Sequence, residues 1–167
     1  MSKKNIEHKL LKACVFDLDE ITFFEKQVLN DSSEFTSARN IKRHIKSKNS
    51  CFLLIKNKDN KICGYGIATL RHYSPTPSAH IYKIAVSPEF RRFGLGFKLL
   101  KELEKFIVNN NIFKIYAEAR ESNKASFGLF KKSGYKKTKT LYGYYSCLDE
   151  SYELENGIKL CKICYHK

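Results

Sequence analysis

Nowhere does this chain stay apolar for long: its longest unbroken run, Cys51 to Ile55, falls far short of a membrane span, which takes roughly 20 apolar residues. A transmembrane helix is therefore excluded. A secretory leader is not expected either, because Lys12 and Asp17 interrupt the apolar stretch near the N-terminus before any small-residue cleavage site. The expected location is the cytoplasm. Of the six cysteines, only Cys161 and Cys164 form a Cys-x-x-Cys. No second such pair and no paired-histidine motif accompanies them, and a strand-like setting sends residues three apart to opposite faces. Neither a zinc site nor any other metal is expected; reduced cysteines act here as small hydrophobes. Acidic residues are scarce: 17 Asp and Glu stand against 31 Lys and Arg, a net charge of +14. Such a balance suits a polyanionic partner, so association with RNA or the ribosome is one expectation, although no RRM, zinc-finger or KH signature is present. The Walker A motif and the three-glycine dinucleotide fingerprint are also absent.

What the sequence does have is apolar content enough to fold. With 167 residues, 43% hydrophobic and 13% aromatic, the chain is expected to form a single domain over 1–167. Periodicity predicts a strand at Leu10 to Ala13 and a helix over Asp17–Leu29. A second helix, capped by Thr36 or Ser37, runs to about Lys48. Two strands, Cys51–Lys56 and Lys61–Leu70, form a hairpin, and a loop at Tyr73 to Ser78 leads to a strand at Ala79–Val86. Gly96 to about Asn109 has strong helical spacing. Phe113 to Ala119 alternates, with Lys114, Tyr116 and Glu118 opposite the apolar set. Ser122 or Asn123 caps a last helix through Lys132, with Gly134 as its left-handed terminator. Strands at Tyr135–Tyr142 and Lys159–Tyr165 follow, separated by a long loop, Tyr144 to Glu155, that the turn pair Asn156 and Gly157 closes. The pattern predicts a mixed α/β fold, with about seven strands and about four helices.

The informative residues lie where the strand ending at Val86 meets its helix. There the chain runs Ile84-Ala85-Val86-Ser87-Pro88-Glu89-Phe90-Arg91-Arg92-Phe93-Gly94-Leu95-Gly96. Glycines let backbone N–H groups close on an anion, a helix N-terminus adds donors and partial positive charge, and Arg91 and Arg92 add formal charge. Such a turn suits a pyrophosphate. Taken with Glu-Ala-Arg-Glu-Ser-Asn at 118–123 and Leu-Phe-Lys-Lys-Ser-Gly-Tyr at 129–135, the segment resembles the GNAT superfamily of acyl-CoA-dependent N-acyltransferases. Within it, the sequence is most like the bacterial group that includes the ribosomal-protein alanine N-acetyltransferase. The likeness is specific over about Ile81 to Tyr135 and architectural before that.

The resemblance implies a central, mostly antiparallel twisted sheet and acetyl-CoA as co-substrate. It implies that Ile84, Ala85 and Val86 offer main-chain groups to the pantetheine arm and thioester. Arg91 and the run Arg92, Phe93, Gly94, Leu95, Gly96 and Phe97 would hold the pyrophosphate, and Asn123 would bond the cofactor further along. It implies that Glu118 is the general base. Where the family keeps a tyrosine in the final helix to protonate the leaving thiolate, this chain has Phe130, which has no proton to donate. Tyr142, Tyr144 and Tyr145 are the remaining candidate acids, and a thiol pKa of about 8.5 also lets the thiolate leave unassisted. Position 130 is expected near the N-terminal half of its helix. The histidines show no metal spacing, and Cys147 is expected to be a plain loop cysteine. The implied reaction is direct transfer of an acyl group, acetyl or longer, to a primary amine in a ternary complex. The amine is a protein or peptide N-terminus, a lysine or a small molecule, with acidic or neutral peptides favoured by the chain's charge. The competing expectation is a catalytically weak module that binds CoA or docks on RNA. The oligomeric state is open.

Overall fold

Helical and strand periodicities convert into eleven regular elements in a computed structural model that describes residues 8–29, 35–72, 75–145 and 154–164. In chain order they are β1 (His8–Lys12), α1 (Leu18–Val28), α2 (Ala38–Lys46), β2 (Ser50–Asn57), β3 (Ile62–Arg71), β4 (Ser78–Val86), α3 (Leu95–Asn109), β5 (Lys114–Arg120), α4 (Lys124–Lys132), β6 (Lys136–Tyr145) and β7 (Glu155–Ile163). Single 3₁₀ turns at Val15–Asp17 and Pro88–Phe90 precede α1 and α3. The seven strands make one sheet in the order β1-β2-β3-β4-β5-β7-β6. β1 runs antiparallel to β2, and β7 runs antiparallel to both β5 and β6, whereas β4 and β5 are parallel. The expected mixed α/β architecture is what is seen. No helix among the described residues is long and apolar enough to cross a membrane.

The chain packs as two compact units, Met1–Ile67 with Lys83–Leu100 and Ala68–Tyr82 with Lys101–Lys167. In the first, alternation along β2 and β3 divides the side chains between two cores. Phe52, Leu54, Ile62 and Tyr65 pack with Ile21, Phe24 and Val28 of α1 and Ile41 of α2. Ile55 and Cys63, one residue out of phase, pack with Leu95 and Leu99 of α3. Each fully buried Ile or Leu contributes about 1.5–3 kcal/mol, so packing and not propensity holds these short helices. The Ser37 Oγ accepts from the Asn40 N–H at 3.3 Å and caps α2. Thr36, the alternative, is instead buried, its N–H donating to Glu25 Oε2 at 2.7 Å. Glu25, 2% exposed, also accepts from the Tyr65 hydroxyl and, at 3.1 Å, from Lys83 Nζ. A buried carboxylate is tolerable only with partners like these.

In the second unit, Ile115, Ala117 and Ala119 of β5 and Ile158 and Leu160 of β7 are buried on one sheet face, and Leu103 and Ile107 of α3 are buried in this unit too. The last two strands depart from expectation. Asn156 and Gly157 lie inside β7 and not in a turn, and β6 continues to Tyr145. The Gly143 N–H donates to Asn156 Oδ1 at 3.1 Å. A Cβ on Gly157 would sit 3.1 Å from Tyr144 Cδ1 and 3.2 Å from Tyr145 Cε2, so this glycine makes room for two aromatic rings. Asn30–Ser33, Tyr73, Ser74, Cys147 with the rest of 146–153, and 165–167 lie outside the described residues.

Candidate active site

Two groups of candidate residues stand out, one in each unit. In the first unit β4 runs into α3 through a tight turn. The Ser87 N–H donates to Cys63 O at 2.9 Å, Phe90 N–H to Ser87 O at 2.9 Å, and Arg91 Nε reaches back to Val86 O at 3.1 Å. Arg92 and Gly94 then take left-handed φ values of 66° and 80°. For arginine this conformation costs about 1 kcal/mol or more, which points to a constrained, purposeful turn. α3 opens at Leu95, with Lys98 N–H bonded to Gly94 O at 2.9 Å. Arg91, Arg92, Phe93, Gly94 and Phe97 are exposed, while Leu95 is buried in the core. Left-handed residues interleaved ahead of a helix N-terminus turn backbone N–H groups toward one side, a concavity for anions. The residues present therefore fit the pyrophosphate of a CoA ester. Along β4, Ala85 is buried while Ile84 and Val86 are half-buried. Gly64 passes so close that a Cβ there would meet Ala85 O at 2.9 Å.

In the second unit, parallel pairing sets His80 of β4 opposite Tyr116 of β5, and its Nε2 contacts the carboxylate of Glu118. Both side chains are largely enclosed, 15% and 14% exposed. Burial pushes the Glu118 carboxyl up, but the hydrogen bond and charge of His80, joined by the charges of Lys159 and Arg71, outweigh it and hold Glu118 below its ordinary value. Glu118 is thus ionised at neutral pH and tied to an imidazole. An imidazole oriented by a carboxylate is a standard way to hold a proton acceptor. Sequence reasoning expected Glu118 and passed over His80, since only the strand register brings the two together.

The other candidates fall into place individually. Asn123 Oδ1 accepts from the Ser126 N–H at 2.9 Å and caps α4. Phe130 is the seventh residue of nine in α4, in its C-terminal half, contrary to expectation. It is 4% exposed and packed edge-on against Tyr135 with ring centroids 5.0 Å apart. Tyr142 and Tyr144 lie in an irregular stretch of β6, 84% and 54% exposed. Tyr145 covers the Arg120 guanidinium at 4.7 Å and stacks edge-on with Tyr144. Cys161 is in β7 and Cys164 just beyond it, and burial pushes both thiols up.

Comparison with known proteins gives a consistent picture. Residues 15–135 match the model of the acetyltransferase (GNAT) family. The N-alpha-acetyltransferase of Sulfurisphaera tokodaii is 28% identical over 161 residues, spanning 90% of this chain and 93% of that one. Two solved structures share the fold. The ribosomal-protein-S18-alanine N-acetyltransferase from Escherichia coli gives a TM-score of 0.79 at 18% identity, covering 96% of this chain and 97% of that one. Arabidopsis thaliana NAA60 in complex with acetyl-CoA gives 0.80 at 11% identity, covering 94% and 98%.

Proposed function

Starting from the fact that the chain belongs to the acetyltransferase (GNAT) family and acetylates an amine, we propose that its donor is acetyl-CoA and its acceptor the α-amine of a polypeptide N-terminus. Acetyl-CoA supplies an acyl group already activated as a thioester. The main chain of Ile84, Ala85 and Val86 and the turn Arg91–Phe97 hold it.

What remains for the protein is the proton. An α-ammonium with a pKa of about 7.7–8.0 is roughly a tenth neutral at pH 7, whereas a lysine near 10.4 is neutral only about once in 2,500 molecules. The smaller cost of removing its proton favours the first over the second as acceptor. The contact between His80 and Glu118 is the observation that carries this reading. With the Nε2 proton donated to the carboxylate, the imidazole presents a basic Nδ1, and the pair takes the ammonium proton as a unit. No dedicated acid for the thiolate is assigned. Phe130 is buried and has no hydroxyl, and thiolate departure near pKa 8.5 proceeds without one.

The test is acetylation of a panel of N-terminal peptides, lysine-only peptides and small amines, with products located by mass spectrometry. Glu118→Gln should lower turnover roughly 100-fold, while the rise in melting temperature with acetyl-CoA persists. Product only on lysines or small amines, or wild-type turnover in Glu118→Gln, would overturn the reading.

A further inference from the structure

Beside Glu118 the second unit carries a row of cations that the proton transfer does not use. Antiparallel partners project to the same face of a sheet. Glu118 of β5 pairs with Lys159 of β7, and Lys159 pairs in turn with Lys139 of β6. Tyr116 is likewise aligned through Cys161 to Lys136. Lys114 and Lys159 place their ammonium groups 5.4 and 4.8 Å from the Tyr116 ring centroid, which fixes both on this face. Lys136 and Lys139 are exposed, and neither has a carboxylate partner among the described residues. The acids the register puts on this face are already engaged. Glu118 is held by His80, and Glu155 by Arg120 at 3.1 Å and the Ser122 N–H at 2.8 Å.

We infer that this face of β5, β7 and β6 is a specificity track that favours acidic side chains in the first few residues of the acceptor polypeptide. The inference rests on the acceptor reading above. Neighbouring strands are about 4.8 Å apart, so Lys159 and Lys139 stand roughly 5 and 10 Å from Glu118 across the sheet, while an extended peptide advances about 3.3 Å per residue. A polypeptide whose amine lies at Glu118 and which leaves across the strands passes its second to fourth residues over these ammoniums. Exposed charge pairs are individually weak, so several must act together, giving a graded preference and no absolute requirement.

Three peptides with a common first residue and Asp, Gly or Lys at positions two to four supply the test, each read as kcat/KM. Wild type should favour the Asp peptide over the Lys peptide by about tenfold, chiefly through KM, and the ratio should shrink with added salt. The double variant Lys136→Glu, Lys139→Glu should abolish or invert the ratio, and Lys136→Arg, Lys139→Arg should keep it. Loss of folded protein cancels, because the ratio is internal to each variant. No charge preference in wild type, or a ratio unmoved in the Glu variant, overturns the inference while leaving N-terminal acetylation intact. A Glu variant that loses affinity for a short RNA oligonucleotide but keeps its peptide ratio overturns it in favour of RNA docking. Product on small amines and on none of the peptides overturns the acceptor reading and this inference together.

Discussion

His44 of α2 illustrates how far a single enclosed side chain governs behaviour. It is 5% exposed, with Nδ1 3.3 Å from Ser50 Oγ. Burial first, and then the charge of Arg43, lower its pKa below the ordinary 6.5. A histidine whose folded pKa is depressed contributes stability that is present above the unfolded value and is lost as pH falls toward the folded one. Urea midpoints should therefore fall as pH drops below about 6.5, and His44→Gln should flatten that slope while lowering the midpoint at pH 7. An unchanged slope would show that His44 does not titrate with unfolding. Glu118 follows the carboxylate version of the same rule. Its depressed pKa makes the contact with His80 stabilising above the ordinary glutamate value of 4.5, and that contribution disappears in more acid solution.

Among the elements, β4 is tightly constrained, because Gly64 of β3 leaves no space for a side chain beside it. A Cβ at position 64 would lie 2.9 Å from Ala85 O and 3.2 Å from Val86 Cγ2. Gly64→Ala must therefore shift the backbone that the proposal assigns to the cofactor. Titration calorimetry should show acetyl-CoA affinity reduced roughly tenfold or more, with a lower melting temperature. Gly128→Ala in α4, where a Cβ meets nothing within 4 Å, should bind normally and melt no lower. Equal affinity in the two variants would sink the argument. Elements with one strong period were legible in the sequence: α3 and β5 lie within a residue of where spacing put them. β6 and β7 were not, because the irregular pairing between Leu141 and Tyr145 and the packing role of Gly157 look like turn chemistry until the rings of Tyr144 and Tyr145 are in place. The tight turn ahead of α3 was legible from its glycines and arginines. His80 was not, since pairing between strands distant in sequence leaves no local trace.

At the scale of the whole molecule, the +14 charge is unevenly distributed. From Ser122 to Leu148 the chain has no Asp or Glu, yet it contains Lys124, Lys131, Lys132, Lys136, Lys137 and Lys139. The last three lie on β6, the outermost strand of the sheet. An outermost strand exposes unpaired N–H and C=O groups that another chain can complete, and charged side chains and irregular pairing are the usual protections against it. β6 has both, with register shifts between Lys137 and Lys139 and between Leu141 and Tyr145. The row of cations thus also guards against self-association. Substituting threonine for Lys136, Lys137 and Lys139 would leave a β-prone edge rich in Thr and Tyr, and sedimentation at rising concentration should reveal larger assemblies for the substituted chain than for the original. If the substituted chain stays as dispersed as the original, the bulged backbone alone suffices to keep copies apart.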